Sequence, residues 1–298
     1  MPVNFVPATP ILHMRSEFLK NGIKNTGKVG RKSAFFFFCL FFLNLAVFSV
    51  FSFTKREVKA EESASLNLQK IASFSTWFNP NDIGRCENIA LASSLIDGVT
   101  VQPYGEFSFN QTVGKRSEKL GFKEAKIILN GEFVKGVGGG VCQVSTTLYN
   151  ACMLSGLTVV EYHAHSLAVG YVPPSKDAMV SVNHDLKLFN PFDFSVKIEM
   201  KKSKTGVTAT VFGVGGRSEI EYRLTSVILE EILPLPPLEC ADGTRGARAP
   251  KNGVKSEAYL EGYKNGALVS KKRVRTDSYA PVREIIVKKV EDTTKKMP

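Results

Sequence analysis

The chain lacks the residue patterns of a disulfide-stapled or zinc-bound protein. Its 298 residues include five cysteines, four histidines and one tryptophan. The cysteines are irregularly spaced, whereas disulfide frameworks and zinc sites need cysteines at recurring separations. We therefore expect mostly free thiols, no metal site and no cofactor.

The chain also lacks an even distribution of charge. The net charge is +11, yet residues 54–250 contain 21 basic and 21 acidic residues and are neutral overall. The excess belongs to residues 1–33, with +5, and to residues 251–298, with +6. No aromatic residues interleave with these basic residues, so we expect no nucleic-acid partner. An anionic polymer of the cell envelope, or a membrane surface, is the better match for the C-terminal charge.

Charge is entirely absent from residues 34–53, AFFFFCLFFLNLAVFSVFSF. A helix of this length extends about 30 Å, the thickness of a bilayer's hydrocarbon core. Basic residues precede it, which predicts a cytoplasmic tail over residues 1–33. We predict a transmembrane signal-anchor at 34–53 and a linker over 54–70, in a single-pass protein of the cell membrane whose bulk is extracytoplasmic. The alternative is a signal peptide cleaved after Ala60, which would give a secreted protein.

Two helical patterns follow in the rest of the chain. Residues 83–96 repeat apolar side chains at helical spacing, and Gly98 follows as a stop. A second apolar stripe begins just after Cys142. Its members are Val144, Leu148, Ala151 and Leu154.

Most of the remaining segments have β character. The dipeptides Asn130-Gly131 and Asn265-Gly266 lie between extended runs, which is typical of β-hairpins. Residues 169–172 are predicted as a strand, and Phe107 and Phe109 are expected to point inward from one strand.

These elements predict an α+β fold. The first domain, over residues 71–216, is a membrane-anchored mixed domain with mainly antiparallel strands and two main helices. The second, over residues 217–298, is a small all-β domain with little room for a pocket.

The run from Gly136 to Gly140 has four glycines in five residues. Such a run cannot form a stable strand or helix interior, and it predicts a sharp turn. Cys142 would then lie at the start of the second helix, where the partial positive charge of the helix terminus stabilises a thiolate.

Cys142, then His163 or His165, then Asp177 follow one another in the order nucleophile, base and orienting carboxylate. This order is compatible with a cysteine-dependent enzyme, in which an imidazole activates the thiol and a carboxylate fixes its tautomer. Gln143, or backbone amides of the glycine turn, could stabilise an oxyanion.

A structural interpretation of the same residues stays open. Ser145, Thr146 and Tyr149 share a helical face with Cys142 and could form a buried polar network. A histidine could cap the helix, and Asp177 could be an ordinary turn residue.

From Phe74 to Gly213 the chain resembles the VanW family. The matching blocks are Asn88-Ile89-Ala90, Gly105 to Asn110, Val113-Gly114, Gly121 to Ala125, Gly136 to Asn150, His163, His165-Ser166, Tyr171 to Pro174 and Asp177-Ala178. The family is named for its presence in vancomycin-resistance gene clusters. The resemblance implies a membrane-anchored protein of the Gram-positive type, with its domain facing the cell wall. The last fifty residues or so resemble a small β module of cell-surface proteins that is named for its glycines. This module is thought to bind peptidoglycan sugars.

We therefore predict a cell-envelope protein that binds or organises peptidoglycan or another anionic wall polymer. The alternative is an acyl-transfer or hydrolytic enzyme that acts on wall peptides through Cys142 with His163 or His165. The residues expected to contribute to binding are Gly138, Gly139, Gly140, Gln143, Ser145 and Tyr171.

Overall fold

The computed structural model describes residues 68–129, 131–214, 219–240 and 246–288. The cytoplasmic tail, the signal-anchor at 34–53 and nearly all of the linker predicted above lie outside the described residues. Within the described ranges, no helix combines the length and apolar character needed to cross a membrane.

A four-stranded antiparallel sheet forms the centre of the first region. Its strands lie in the order β1 (Gln69–Trp77), β9 (Gly206–Gly213), β8 (Val196–Lys202) and β2 (Thr100–Val101). Alternate side chains of the two middle strands are fully buried, because two helices cover one face of the sheet. These buried residues are Val196, Ile198, Val207, Ala209 and Val211.

Helix α1, Ile83–Ile96, has the bounds predicted from the apolar repeat. Asp82 caps its N-terminus, and the Asp82 carboxylate accepts a hydrogen bond from the Arg85 amide at 3.2 Å. Ile89 and Ile96 are fully buried on the face that contacts the sheet. Gly98 follows with a positive φ of 83°.

The short helix α2, Phe109–Val113, replaces part of a predicted strand. Strand β3, Glu106–Ser108, ends where the Ser108 hydroxyl accepts a hydrogen bond from the Gln111 amide and caps α2. The prediction that Phe107 and Phe109 share one strand is therefore wrong, although both rings are buried as expected. A 3₁₀ turn, Glu118–Leu120, follows.

A hairpin leads into the glycine turn. Strands β4 (Glu124–Leu129) and β5 (Glu132–Val137) pair in antiparallel register, as the Asn-Gly dipeptide predicted. Gly138 and Gly140 then adopt φ values of 88° and 107°, conformations that favour glycine. Helix α3, Val141–Ser155, begins directly after this turn.

Helix α3 is the most deeply buried helix among the described residues. Thirteen of its fifteen residues are buried, and the two that reach the surface are Cys142 and Leu154. Since a helix buried on nearly all sides leaves little surface, the partial exposure of Cys142 makes the N-terminal end of α3 accessible to solvent. Gly156 ends the helix in a left-handed conformation, which favours glycine.

The chain after α3 is largely irregular until the central sheet resumes. Strands β6 (Thr158–Glu161), β7 (Lys187–Phe189) and β3 form a small antiparallel sheet. Residues 169–172 form no strand, contrary to the prediction. No described strand pairs with this segment, and the chain just after it is bound by side chains: Tyr279 accepts from the Ser175 amide, and Ser145 of α3 donates to the Ala178 carbonyl oxygen. Its β propensity therefore has no effect.

The C-terminal region is β-rich, as predicted. Strands β10 (Glu221–Ile232), β12 (Gly253–Lys264) and β13 (Ala267–Tyr279) form an antiparallel sheet, and β11 (Leu238–Cys240) pairs in parallel with β14 (Ile285–Val287). The β12–β13 turn has positive φ at both Asn265 and Gly266. One face of the larger sheet contacts the first region, and its buried members are Leu224, Ser256, Ala258, Arg275 and Tyr279.

Candidate active site

The turn before Cys142 is fixed by close backbone contacts. A Cβ atom on Gly139 would lie 2.7 Å from the carbonyl oxygen of Lys126, so no side chain fits there. The buried Asn88 amide donates to the carbonyl oxygens of Gly139 and Lys123, both at 2.9 Å. These contacts join the hairpin and the turn to α1 and hold Cys142 at the first turn of α3.

His165 and Asp177 form a buried pair beside this cysteine. The His165 Nδ1 lies 2.6 Å from the Asp177 Oδ2, which also accepts the His165 backbone N–H at 2.8 Å. The two side chains are 7% and 1% exposed. With Nδ1 occupied by the carboxylate, Nε2 is the nitrogen left to interact with Cys142, and His165 is close enough to lower the pKa of that thiol.

The three groups perturb one another in the directions that activate a thiol. Burial raises the pKa of Cys142, but the hydrogen bond and charge of His165 outweigh it and leave the pKa below its ordinary value. Burial lowers the pKa of His165, and the bonds to Asp177 and Cys142 overcome this and raise it to about 9. Both shifts favour a thiolate beside an imidazolium.

The Cys142 sulfur has one further partner. It lies 3.3 Å from the carbonyl oxygen of Val180. The segment that carries Val180 is bound to α3 by Ser145, whose hydroxyl donates to the Ala178 carbonyl oxygen at 2.6 Å. Ser145, predicted as a binding residue, is fully buried and joins two parts of the site.

His163 does not join the group, although it is two residues from His165. Its Nε2 lies 3.0 Å from Glu161 Oε1, and its ring packs edge-on against His184 with the centroids 4.4 Å apart. Of the two histidines that the sequence left open, the structure brings His165 to Cys142 and Asp177.

Gln143 is placed too deep for an oxyanion role. Its amide nitrogen donates to Thr76 Oγ1 and to the Trp77 carbonyl oxygen, and its Oε1 accepts from Arg85 at 2.6 Å. Because both amide hydrogens are used, Gln143 has no donor left for an oxyanion, and the alternative role of the backbone amides of the glycine turn stays a prediction.

Tyr171 lies close enough to Cys142 to interact with its charge. Burial raises the pKa of the Tyr171 hydroxyl, and the charge of Cys142 raises it further. The phenol therefore stays neutral and can act as a hydrogen-bond donor or acceptor in the site. A separate cavity lies at the other end of α3, where Leu154 and Tyr222 line it.

Comparison with known proteins supports the resemblance seen in the sequence. Residues 84–212 match the family described as "VanW like protein". The chain carries a VanW-like domain. The match contains every member of the Cys142, His165 and Asp177 group, so the site is part of the VanW-like domain itself.

Two curated relatives share this part of the chain. The VanW-like chain is 39% identical over 157 residues to "Uncharacterized protein YoaR" of Bacillus subtilis, covering 52% of each protein. It is 25% identical over 132 residues to "Vancomycin B-type resistance protein VanW" of Enterococcus faecalis, covering 42% of this chain and 48% of that protein. The chain thus spans about half the length of the curated relatives it matches.

A solved structure titled "Crystal structure of HP0197-G5" covers 24% of the VanW-like chain and 99% of its own length. Its sequence identity is 18% and its TM-score is 0.14, too low to support any conclusion. The resemblance of the C-terminal region to the β module named for its glycines stays a prediction.

Two residues outside the VanW-like match hold Asp177, and the sequence interpretation missed both. Tyr279 donates to Asp177 Oδ1 at 2.5 Å, and Arg275 donates to the Asp177 carbonyl oxygen at 2.6 Å. Both belong to β13. The alternation of Arg275, Asp277 and Tyr279 along this strand could have indicated a polar inner face. Their partner could not have been inferred, because it is about a hundred residues away.

Proposed function

We propose that the protein is a cysteine-dependent acyl-transfer or hydrolytic enzyme of the cell envelope. The observation that carries the proposal is the contiguous group of Cys142, His165 and Asp177 at the partly exposed end of a buried helix. A thiol that only filled space would not need a buried imidazole, itself held by a buried carboxylate.

The chemistry follows from the placement of each group. The Cys142 thiolate attacks the carbonyl carbon of an amide, and the Cys142 backbone amide stabilises the oxyanion, since the Val141 and Gln143 amides already donate to Gly138 and Gly140. The imidazolium of His165 donates its Nε2 proton to the leaving amine as the carbon–nitrogen bond breaks, which leaves a thioester on Cys142. Water or a second amine then gives a proton to His165 and attacks the thioester, and the thiolate leaves.

Asp177 holds the His165 ring in one orientation throughout the reaction. Burial raises the pKa of Asp177, but its bonds to His165 and Tyr279 lower it below the ordinary value. The ionised carboxylate stabilises the imidazolium that the first step needs.

Wall peptides are the proposed substrates. Two features support them: the predicted export segment at 34–53 and the similarity to a vancomycin-resistance protein. In this proposal residues 1–33 lie in the cytoplasm, residues 34–53 anchor the chain in the membrane, and the VanW-like domain faces peptidoglycan.

Activity on isolated wall peptides tests the enzymatic proposal. Full-length protein should convert peptidoglycan-derived peptides to hydrolysed or amine-transferred products detectable by mass spectrometry. Cys142→Ala should lower the rate by at least about 1,000-fold, because it removes the nucleophile. Cys86→Ala is the matched control, since Cys86 is another partly exposed thiol, and should leave the rate unchanged. Equal rates for wild type and Cys142→Ala would rule the proposal out.

A second candidate is wall binding without catalysis. The +6 charge of residues 251–298 and the exposed Lys271 and Lys272 on β13 favour it. Retention of the protein on isolated peptidoglycan at low salt, unaffected by Cys142→Ala, is the expected result. Failure to bind at low salt would exclude this function.

A further inference from the structure

Arg116 lies beside the nucleophile, and the mechanism above does not use it. Its side chain is half-buried, and a Cβ atom on Gly138 would lie 3.1 Å from its Cβ, so its stem packs on the turn that leads into α3. Its charge helps to lower the pKa of Cys142, which places the guanidinium within electrostatic reach of the sulfur.

The guanidinium is held by neutral partners. Arg116 Nη2 donates to Asn110 Oδ1 at 2.6 Å, and the guanidinium lies 5.6 Å from the centre of the Phe109 ring. The Asn110 amide in turn donates to the carbonyl oxygens of Ser181 and His184, each at 3.0 Å. These bonds connect Arg116 to the segment that follows Val180, whose carbonyl contacts the sulfur.

No carboxylate among the described residues lies within ion-pair distance of Arg116. Asp185 is close enough to Arg116 to influence its pKa but accepts from other donors: the Ser108 hydroxyl at 2.5 Å and the Asn110 backbone N–H at 2.8 Å. A half-buried guanidinium with only neutral hydrogen-bond partners retains donors and charge for an anionic ligand.

Arg85 adds a second cation at the other end of the turn. A Cβ atom on Gly140 would lie 2.9 Å from its Cγ. Its guanidinium donates to the neutral Gln143 Oε1, and in the described chain it too has no carboxylate within ion-pair distance. Two arginine stems thus pack on the glycine turn that precedes Cys142.

We infer that Arg116, supported by Arg85, forms a carboxylate-binding subsite next to Cys142. A planar guanidinium matches a carboxylate in shape and charge, and peptides carry that group at their C-termini and on acidic side chains. The substrate class, which rests on the proposed function, is then a peptide with a free carboxylate close to the carbonyl that the thiolate attacks.

Two alkylating reagents of nearly equal size test the subsite without any assay of turnover. Iodoacetate is a carboxylate and iodoacetamide is neutral, and both alkylate a thiolate. The rate ratio of iodoacetate to iodoacetamide at Cys142, resolved by mass spectrometry of the peptide, should exceed the ratio at Cys86 in the same molecule. Because both reagents need the thiolate, a change in thiol pKa cancels in the ratio.

Arg116→Gln should lower this ratio at Cys142 by about tenfold, as expected for the loss of one charge-assisted contact. Arg223→Gln is the control, since Arg223 lies on β10 and stacks on Tyr263 in the C-terminal sheet. An unchanged ratio in Arg116→Gln, or an equal fall in Arg223→Gln, would overturn the subsite.

Protection experiments on the wild-type protein keep the inference testable if Arg116→Gln does not fold. Acetate should slow alkylation of Cys142 by iodoacetamide in a saturable manner, whereas acetamide should not. Equal protection by the two would contradict a carboxylate site.

A comparison of two wall peptides tests the proposed substrate class. A wall peptide with a free C-terminal carboxylate should react faster than its C-terminal amide, and Arg116→Gln should abolish the preference. A faster reaction of the amide would refute this substrate class. If no peptide reacts, the proposed enzymatic function fails, while the alkylation ratio still reports on the subsite.

Discussion

The site region contains two histidine–carboxylate pairs that differ in burial. His165 and Asp177 are 2.6 Å apart and 7% and 1% exposed, while His163 and Glu161 are 3.0 Å apart and 33% and 29% exposed. Cys142 of α3 and Tyr279 of β13 lie against the first pair, whereas Lys187, His184 and solvent surround the second. Burial therefore distinguishes a pair that can activate a thiol from a pair on the surface, since charges interact strongly only where water is excluded.

The C-terminal sheet repeats this contrast on its two faces. Tyr279 is fully buried and donates to Asp177 of the VanW-like domain, while Tyr259 donates to Glu257 on the same sheet. Arg275 is likewise buried, and Arg273 is 60% exposed. An irregularity in the β12–β13 pairing between Ala258 and Tyr259 places Arg273 and Arg275 on opposite faces, although the sequence separates them by two residues.

Substitution of His165 and of His163, one at a time, gives the largest expected difference in activity. His165→Gln should lower the rate on wall peptides by about 1,000-fold, because it removes the proton carrier and the partner of the thiolate. His163→Gln should change the rate by less than about threefold, since an exposed pair contributes little. The same order should hold for alkylation of Cys142 by iodoacetamide at pH 7. Similar losses in both variants would mean that the two pairs are functionally equivalent.

Substitution of Tyr279 or of Tyr259 by phenylalanine gives a smaller effect, on the free energy of unfolding. Tyr279→Phe should destabilise the protein by about 1–3 kcal/mol, because it removes a bond to a buried carboxylate and leaves the Ser175 amide, now 2.7 Å from the hydroxyl, without an acceptor. Tyr259→Phe should have a smaller effect in the same urea titration, since Glu257 keeps its hydrogen bonds from Arg273 and Thr276. Activity should fall in Tyr279→Phe alone. If Tyr259→Phe is equally damaging, the two faces are not functionally distinct.

The smallest effect, about tenfold, comes from pH. The pKa of His165 is raised to about 9 in the folded protein, against about 6.5 in the unfolded chain. The stabilisation by the imidazolium is therefore complete below about pH 6.5 and is lost as pH rises through about 9. Activity should therefore fall about tenfold at pH 10, where about one imidazole in ten keeps its proton. The stability of wild type relative to His165→Gln should decline over the same interval. Activity that stays constant from pH 8 to 10 would show that the imidazolium is not required.

Local patterns sufficed for the elements that carry the nucleophile. The apolar repeat of residues 83–96 gave the bounds of α1, and the glycines of residues 136–140 predicted the turn before α3. Both features depend on neighbours in the chain, through helical periodicity and positive φ. Cys142 could therefore be placed at a helix start from the sequence alone.

Tertiary contacts decided which residues join that cysteine. His163 and His165 are alike in sequence, and their separation follows from the irregular path of the chain between β6 and β7, where α3 and β13 bind the backbone. The β propensity of residues 169–172 was overridden in the same way. Arg116, Arg275 and Tyr279 reach the site from elements far along the chain, and contacts at such separations leave no local periodicity in the sequence. The sequence thus determined where the thiol lies, and the packing of distant elements determined which groups activate it.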